Sequence, residues 1–478
     1  MRRLLFVALV LSVASQPLGL AAHARRGSSI GPLGTKEPTK LHLRYDKDQS
    51  HILAEGHLEP ALPGEVVEVI LFRKRSGSFK KIAMKDRQLD EEGRYEARFD
   101  RPARGMCKIN ASFAGNDDYK PDSATSTFNC GLPVSLGAYS PEQLPARTEK
   151  ALERIDGVRA TTVWSGSKFL KSSRVSGGGS VDNPPGSYTI PLDVAFIEPN
   201  EFARFAQKGD RAKIRSLDGR KALFSKGEVG LRRGHDRLRM RFTVGRARSI
   251  GSISNASAQG YEVLLSQPAA HASVAFRTVL IEKAPNVERA RIAKKLRRIA
   301  GHKPLELSSE KEVPYLRHAQ LVRPQLFIKK VFGEFYMRPT SGRSIEIGGG
   351  WPADNIRSDT VPILGQVTCH RKIFPQLRGA LREVRRKGLA HTVTRSKYVG
   401  CYVPRFISSY DGGDVGPVKR LSRHAWGTGL DINARSNPFG SRPQQDPRLV
   451  RIMKKWGMTW GGRWALPDGM HFEWERFP

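Results

Sequence analysis

Between Leu41 and Cys130 apolar and polar residues alternate in short runs: Leu41-His42-Leu43-Arg44-Tyr45, Val66–Phe72, Tyr95–Phe99 and Cys107–Phe113. A period of two puts every second side chain on one face, the pattern of half-buried strands. Pro63-Gly64, Glu92-Gly93 and Gly115-Asn116-Asp117-Asp118 separate the runs as turns. The pattern predicts a small antiparallel β-sandwich over residues 38–131. Beyond Ser140 the rhythm changes. Ser140-Pro141-Glu142 opens a predicted helix that runs to Ile155 and stops at Gly157. Strands are predicted at Val158–Trp164 and Pro191–Phe196, with a flexible Ser/Gly/Pro-rich loop over Ser172–Ser187 between them. Pro285-Asn286 opens a basic helix with Val287, Ala290, Ile292, Leu296 and Ile299 partly on one face. These elements predict an α+β domain over residues 140–310.

Residues 332–478 carry two further amphipathic patterns. Phe374, Leu377, Leu381 and Val384 fall at helical spacing and break at Gly388. Asp446 precedes Pro447 as an N-cap, and Leu449, Val450, Ile452, Met453 and Trp456 follow before Gly457. Five of the seven tryptophans lie between Trp426 and the C-terminus. The fold class is therefore multidomain: an all-β N-terminal sandwich, an α+β middle domain and an α+β C-terminal domain.

Composition adds one unusual feature. The chain has 478 residues, and 81 Lys and Arg against 46 Asp and Glu give a net charge of +35. Such an excess points to a polyanionic partner. Arg2 and Arg3, the apolar run Leu4–Ala14 and Ala22-His23-Ala24 have the layout of a secretory signal over residues 1–24. Its removal would leave a charge of +33. An exported chain makes nucleic acid a poor partner and an anionic cell-wall polymer or membrane surface the better one. Four cysteines fit an oxidising compartment. Of three possible pairings, Cys107–Cys130 with Cys369–Cys401 keeps each bridge inside one predicted domain.

The distinctive chemistry lies near the C-terminus. His424 and Asp431 are separated by Gly427 and Gly429, which disfavour a helix, and a straight strand would put them on opposite faces. A turn through the glycines that returns as the strand Leu430-Asp431-Ile432 brings imidazole and carboxylate together. Such a pair suits Zn²⁺, which in a catalytic site takes three protein ligands and keeps one position open. Asp468-Gly469-Met470-His471 supplies a third ligand in His471, with Asp468 placed to act as a general base. Glu473, on the same strand face as His471, reads as a partner of that histidine or of a cation. His42, His51, His57, His235, His271, His302, His318 and His391 read as ordinary satisfied side chains, and His370 as structural.

The sequences Ser422-x-His424-x-x-Gly427-x-x-x-Asp431 and Asp468-x-x-His471-Phe472 resemble the zinc D-alanyl-D-alanine carboxypeptidases of the VanY and VanX type. Matching stretches begin near Gly333-Glu334-Phe335 and include Gly400-Cys401-Tyr402-x-Pro404-Arg405-Phe406. The resemblance implies a catalytic domain over residues 332–478 that hydrolyses peptidoglycan stem peptides. His424, Asp431 and His471 would be the Zn²⁺ ligands, Asp468 the base, Arg405 the oxyanion-stabilising cation and Ser422 a substrate contact. Gly429 departs from the alanine often found there, and a Gly- and Asp-rich insert, Asp411–Lys419, follows Arg405. An L-alanyl-D-glutamate endopeptidase shares the same zinc motifs, and a non-catalytic wall-binding protein with a structural zinc is the reading from another class. At the N-terminus, Glu92-Gly93-Arg94-Tyr95 and Ala111–Tyr119 resemble bacterial immunoglobulin-like modules.

Overall fold

The computed structural model describes residues 36–47, 51–102, 105–131, 133–266, 274–318, 321–407 and 419–478. The signal segment 1–24 and most of the insert after Arg405 lie outside the described residues. The chain divides into two compact units, one of residues up to 101 with 106–128, the other of 102–105 with 129–478.

The first unit holds two sheets. Lys40–Lys47, His51–Glu59 and Arg94–Asp100 form one in that order, and Ser78–Gln88, Val66–Arg75, Met106–Phe113 and Asp122–Asn129 form the other. Alternation decides which face is covered: Val67, Val69 and Leu71 are buried on one strand, Tyr95, Ala97 and Phe99 on another.

The second unit is organised around a ten-stranded mixed sheet. Its longest strand, Val158–Val175, has 18 residues and runs through the start of the stretch expected as a flexible loop. Ser172–Val175 pairs with Leu238–Arg241, and Ser180–Asp182 folds back against the same strand. The expectation of a loop is corrected by this pairing: partners distant in sequence satisfy a backbone whose own side chains show no alternation. The helix expected from Ser140 to Ile155 shrinks to Thr148–Glu153. Pro141 and Pro145 break the earlier part, and the Pro145 carbonyl accepts from the Thr148 N–H at 2.9 Å to start what remains. The basic helix forms at Arg289–Ala300, burying Ile292, Leu296 and Ala300.

A helix at Gln325–Phe332 ties this sheet to the C-terminal elements. Its buried Lys329 lies 3.0 Å from Glu262 of the sheet and 3.0 Å from Glu334. Arg232 meets Asp182 at 2.6 Å and Glu228 at 2.9 Å, and also pairs with Glu334. Paired in this way, the buried charges avoid the cost each would carry alone. Further on, Phe374–Arg386 and Pro447–Lys455 form the two expected helices, and Asp446 caps the second by accepting from the Arg448 N–H at 2.7 Å. They cover a three-stranded antiparallel sheet of Gly429–Asp431, His471–Trp474 and Met458–Trp460. Its core includes Trp426, Leu430, Ile432, Leu449, Met453 and Phe472.

Cys369 and Cys401 form a disulfide, and Cys107 and Cys130 are disulfide-bonded as well. Among the described residues no helix is long and apolar enough to cross a membrane.

Candidate metal centre

His424 sits in a short 3-10 turn, Arg423–Trp426. Ser422 precedes it, and its hydroxyl accepts from the His424 N–H at 3.3 Å. Gly427 closes the turn at φ 64°, a left-handed conformation that glycine adopts without strain. The chain then enters the strand Gly429–Asp431, which pairs with His471–Trp474 so that Asp431 faces His471 directly. One turn and one strand register thus bring together residues 47 apart in sequence.

His424 Nε2 lies 3.3 Å from one Asp431 oxygen, and His471 Nδ1 lies 2.9 Å from the other. The two rings are 5.1 Å apart. The ligand atoms of His424, Asp431 and His471 all fall within 4.8 Å of one another. The other nitrogen of each ring is engaged as well. His424 Nδ1 is 3.0 Å from the Cys401 carbonyl, which can only accept, so Nδ1 carries the proton and Nε2 presents a lone pair. His471 Nε2 is 3.2 Å from Glu473, whose other oxygen faces Arg423 at 3.8 Å. His424 Nε2 is buried, and its 3.3 Å approach to Asp431 lacks hydrogen-bond alignment. An unsatisfied buried nitrogen and a flanking carboxylate are a donor set that a divalent cation fits.

The charged groups of the site act strongly on one another. Burial pushes the Asp431 carboxyl up, but the neighbouring imidazoles of His424 and His471 outweigh it and hold the group far below the usual carboxylate range. Burial lowers His471, yet Asp431 and Glu473 raise it to about 10. Asp468 is pushed up, first by burial and then by Asp431, against the pull of His471, His424 and Arg405. Its Oδ1 is buried without a hydrogen-bond partner. Burial also lowers Arg405, while Asp431 and Asp468 work in the opposite direction.

All of these groups, with Ser422 and Glu473, line one cavity of about 550 Å³. Trp464 is in its wall, 5.4 Å from the His471 ring. Trp426 is fully buried instead. His370 is a structural group: its Nε2 meets the Phe332 carbonyl at 3.2 Å and its Nδ1 accepts from the Lys372 N–H.

Sequence reasoning missed another part of the cavity lining. Tyr139, Ser167, Asp193 and His318 belong to strands and a turn of the large sheet, yet face the same space. Asp193 is fixed there by buried Arg317 at 2.7 Å, and Arg317 stacks on Tyr261 at 3.5 Å. The His318 ring is 5.3 Å from Tyr139 and takes a long contact, 3.4 Å, from Arg420. No spacing or motif near these residues marks them; they meet the site through the fold alone.

No curated protein and no solved structure matches the chain. Residues 416–474, the stretch that contains His424, Asp431, Asp468 and His471, match the family model described as D-alanyl-D-alanine carboxypeptidase, so this segment is similar to that family.

Proposed function

We propose that the protein is a secreted zinc peptidase of peptidoglycan stem peptides, acting as a D-alanyl-D-alanine carboxypeptidase. The observation that carries this reading is the convergence of His424, Asp431 and His471 in a cavity that also holds the unpartnered carboxylate of Asp468. His424 Nε2, Asp431 and His471 Nδ1 would hold the ion, and Glu473 would orient His471 through its Nε2. Zinc bound there supplies Lewis acidity and lowers the pKa of water towards ~7. Asp468 takes a proton from the attacking water and delivers it to the leaving amine, a role suited to a carboxylate whose proton affinity burial raises. Arg405 offers positive charge to the oxygen of the tetrahedral intermediate. Ser422 holds the turn that carries His424, and also lines the space a substrate would enter.

A purely structural zinc site is closed by a fourth protein ligand. Here Glu473, which touches His471, is already engaged by that ring and by Arg423, and the three-residue cluster opens on a cavity. An endopeptidase acting on L-alanyl-D-glutamate bonds is the second reading. It is favoured by the breadth of the cavity lining, which includes Tyr139 and His318 as well as Asp468. We assign the protein to the cell envelope on the strength of its signal-like N-terminus and oxidised cysteines, with the +33 charge left after signal removal holding it to an anionic wall or membrane. The N-terminal sheets would then be an immunoglobulin-like spacer or wall-binding module.

Purified protein incubated with a cell-wall pentapeptide provides the test. Release of D-alanine is expected, abolished by chelator, with Asp468→Asn reducing turnover by about 10²–10⁴-fold while retaining zinc. Separated stem peptide and glycan, seen by mass analysis of digested wall, would indicate the endopeptidase. Absence of any chelator-sensitive cleavage of wall material would falsify both.

A further inference from the structure

We propose that the N-terminal unit carries a second metal site, formed by His42, His57 and Glu59 and suited to a late first-row divalent cation such as zinc. The sequence presents these as isolated polar positions on neighbouring strands. The register brings them together: His42 of Lys40–Lys47 faces His57 of His51–Glu59 directly. Directly opposed residues project to the same side of the sheet, and Glu59, two residues beyond His57, shares that side.

The two imidazoles stack in parallel, with ring centroids 4.3 Å apart and planes 6° from coplanar. Both turn Nε2 towards one carboxylate. His42 Nε2 is 3.4 Å from Glu59 Oε2, and His57 Nε2 is 3.2 Å from Oε1. The three ligand atoms lie within 4.8 Å of one another. His42 Nε2 is itself buried, and its approach to Glu59 is too poorly aligned to count as a hydrogen bond. Parallel rings that present the same edge to one point set like dipoles side by side. His57 Nε2 donates to Glu59, and a cation between the rings and the carboxylate would displace that proton to use both nitrogen lone pairs.

The backbone beneath the cluster is held in place. The Tyr95 hydroxyl donates to the His42 carbonyl at 2.8 Å, and the two strands stay in register from Lys40–Glu59 to Lys47–Ile52. The surroundings decide which ions fit. Lys40 stands opposite Glu59, and Arg94 opposite His57 on the other neighbouring strand, so the face is not strongly anionic. Arg44, on the same strand as His42, is drawn to Glu55 at 2.8 Å. Two imidazoles and one carboxylate in such surroundings select by nitrogen affinity, which favours zinc, nickel or copper over magnesium or calcium. His57 and Glu59 are about half exposed, with side-chain accessibilities of 44% and 57%, so solvent reaches the site and a position stays open for an external ligand. Bound metal would cross-link the outer strand Lys40–Lys47 to its neighbour.

The full-length chain, stripped with chelator and titrated with ZnCl₂ by calorimetry and elemental analysis, provides the test. Two zinc ions per chain are expected. The double substitution His42→Ala/His57→Ala should bind one, with zinc-dependent cleavage of wall peptides unchanged. Glu59→Gln, which keeps side-chain volume, should weaken the second site at least about tenfold without altering the circular dichroism spectrum, and it decides the matter if the double variant does not fold. The proposal is overturned by equal stoichiometry in the wild type and the double variant, by unchanged binding in a folded Glu59→Gln protein, or by magnesium competing equally for the site. His424→Ala removes the other zinc, so failure of the peptidase reading and failure of this one give different stoichiometries.

Discussion

Gly429 shows how closely the candidate site depends on single atoms. A Cβ at this position would stand 2.8 Å from Cε1 of His471 and 3.3 Å from Cβ of Arg423. This chain packs the imidazole against a bare Cα. Gly429→Ala is therefore expected to displace the His471 ring and weaken zinc retention by roughly 10–100-fold, the range seen when groups that orient a ligand are disturbed. Competition with a chromogenic chelator measures it, and retention equal to wild type would sink the idea. The four residues His424, Asp431, Asp468 and His471 were legible in the sequence because two short motifs with turn-forming glycines restrict where their side chains can go. Glu473 was legible as a partner for His471 because strand periodicity puts them on one face. Asp193 and His318 were not, since nothing local distinguishes them from other buried polar residues.

At the scale of elements, regular patterns translated well and pairing did not. Phe374–Arg386 and Pro447–Lys455 follow from apolar spacing, a proline near the start and, for the second, the Asp446 cap. The extension of a strand from Trp164 to Val175 could not be read, because its support comes from other strands, Ile190–Phe196 up to Leu170 and Leu238–Phe242 beyond it. Contact between the two helices is likewise tertiary, and it centres on Glu383. Its carboxylate takes hydrogen bonds from Lys455 at 2.9 and 3.0 Å and from Trp456 Nε1 at 2.8 Å. Lys455 and Trp456, with a smaller part from Lys387, hold the Glu383 carboxyl down to about 2, from an ordinary 4.5. A carboxylate depressed on folding contributes stability that is fully present above the ordinary value and lost as pH falls towards the folded one. Glu383→Gln should thus lower stability near neutral pH by about 1–3 kcal/mol, since hydrogen bonds to charged groups are of that size. It should also flatten the decline in stability between pH 4.5 and 2 relative to wild type. Urea unfolding across that pH range tests both parts, and an unchanged acid limb would contradict them.

For the molecule as a whole, the main consequence of the fold is that the large sheet and the candidate metal centre share residues 129–478 as one compact unit and enclose one cavity. Buried pairs across Lys329, Glu262, Glu334 and Arg232 keep the two parts in register. Tyr139 and His318 thus line the same cavity as His424, Asp431 and His471, and on the proposed function they are expected to contact a bound peptide. His318 is buried, and burial with the charges of Arg317, Arg420 and Arg423 keeps it neutral, its pKa far below the ordinary 6.5. A neutral ring beside Tyr139 offers a polar edge and an apolar face, suited to holding the part of a peptide remote from the scissile bond. His318→Ala is expected to raise KM for a stem pentapeptide by about tenfold, the equivalent of one lost hydrogen bond or ring contact, with kcat little changed. Hydrolysis of a minimal dipeptide, too short to span the cavity, should be unaffected. Equal losses on both substrates would mean that the substitution disturbs the metal centre through Arg420 instead. A loss confined to the longer peptide would locate specificity in a part of the chain where no catalytic motif occurs.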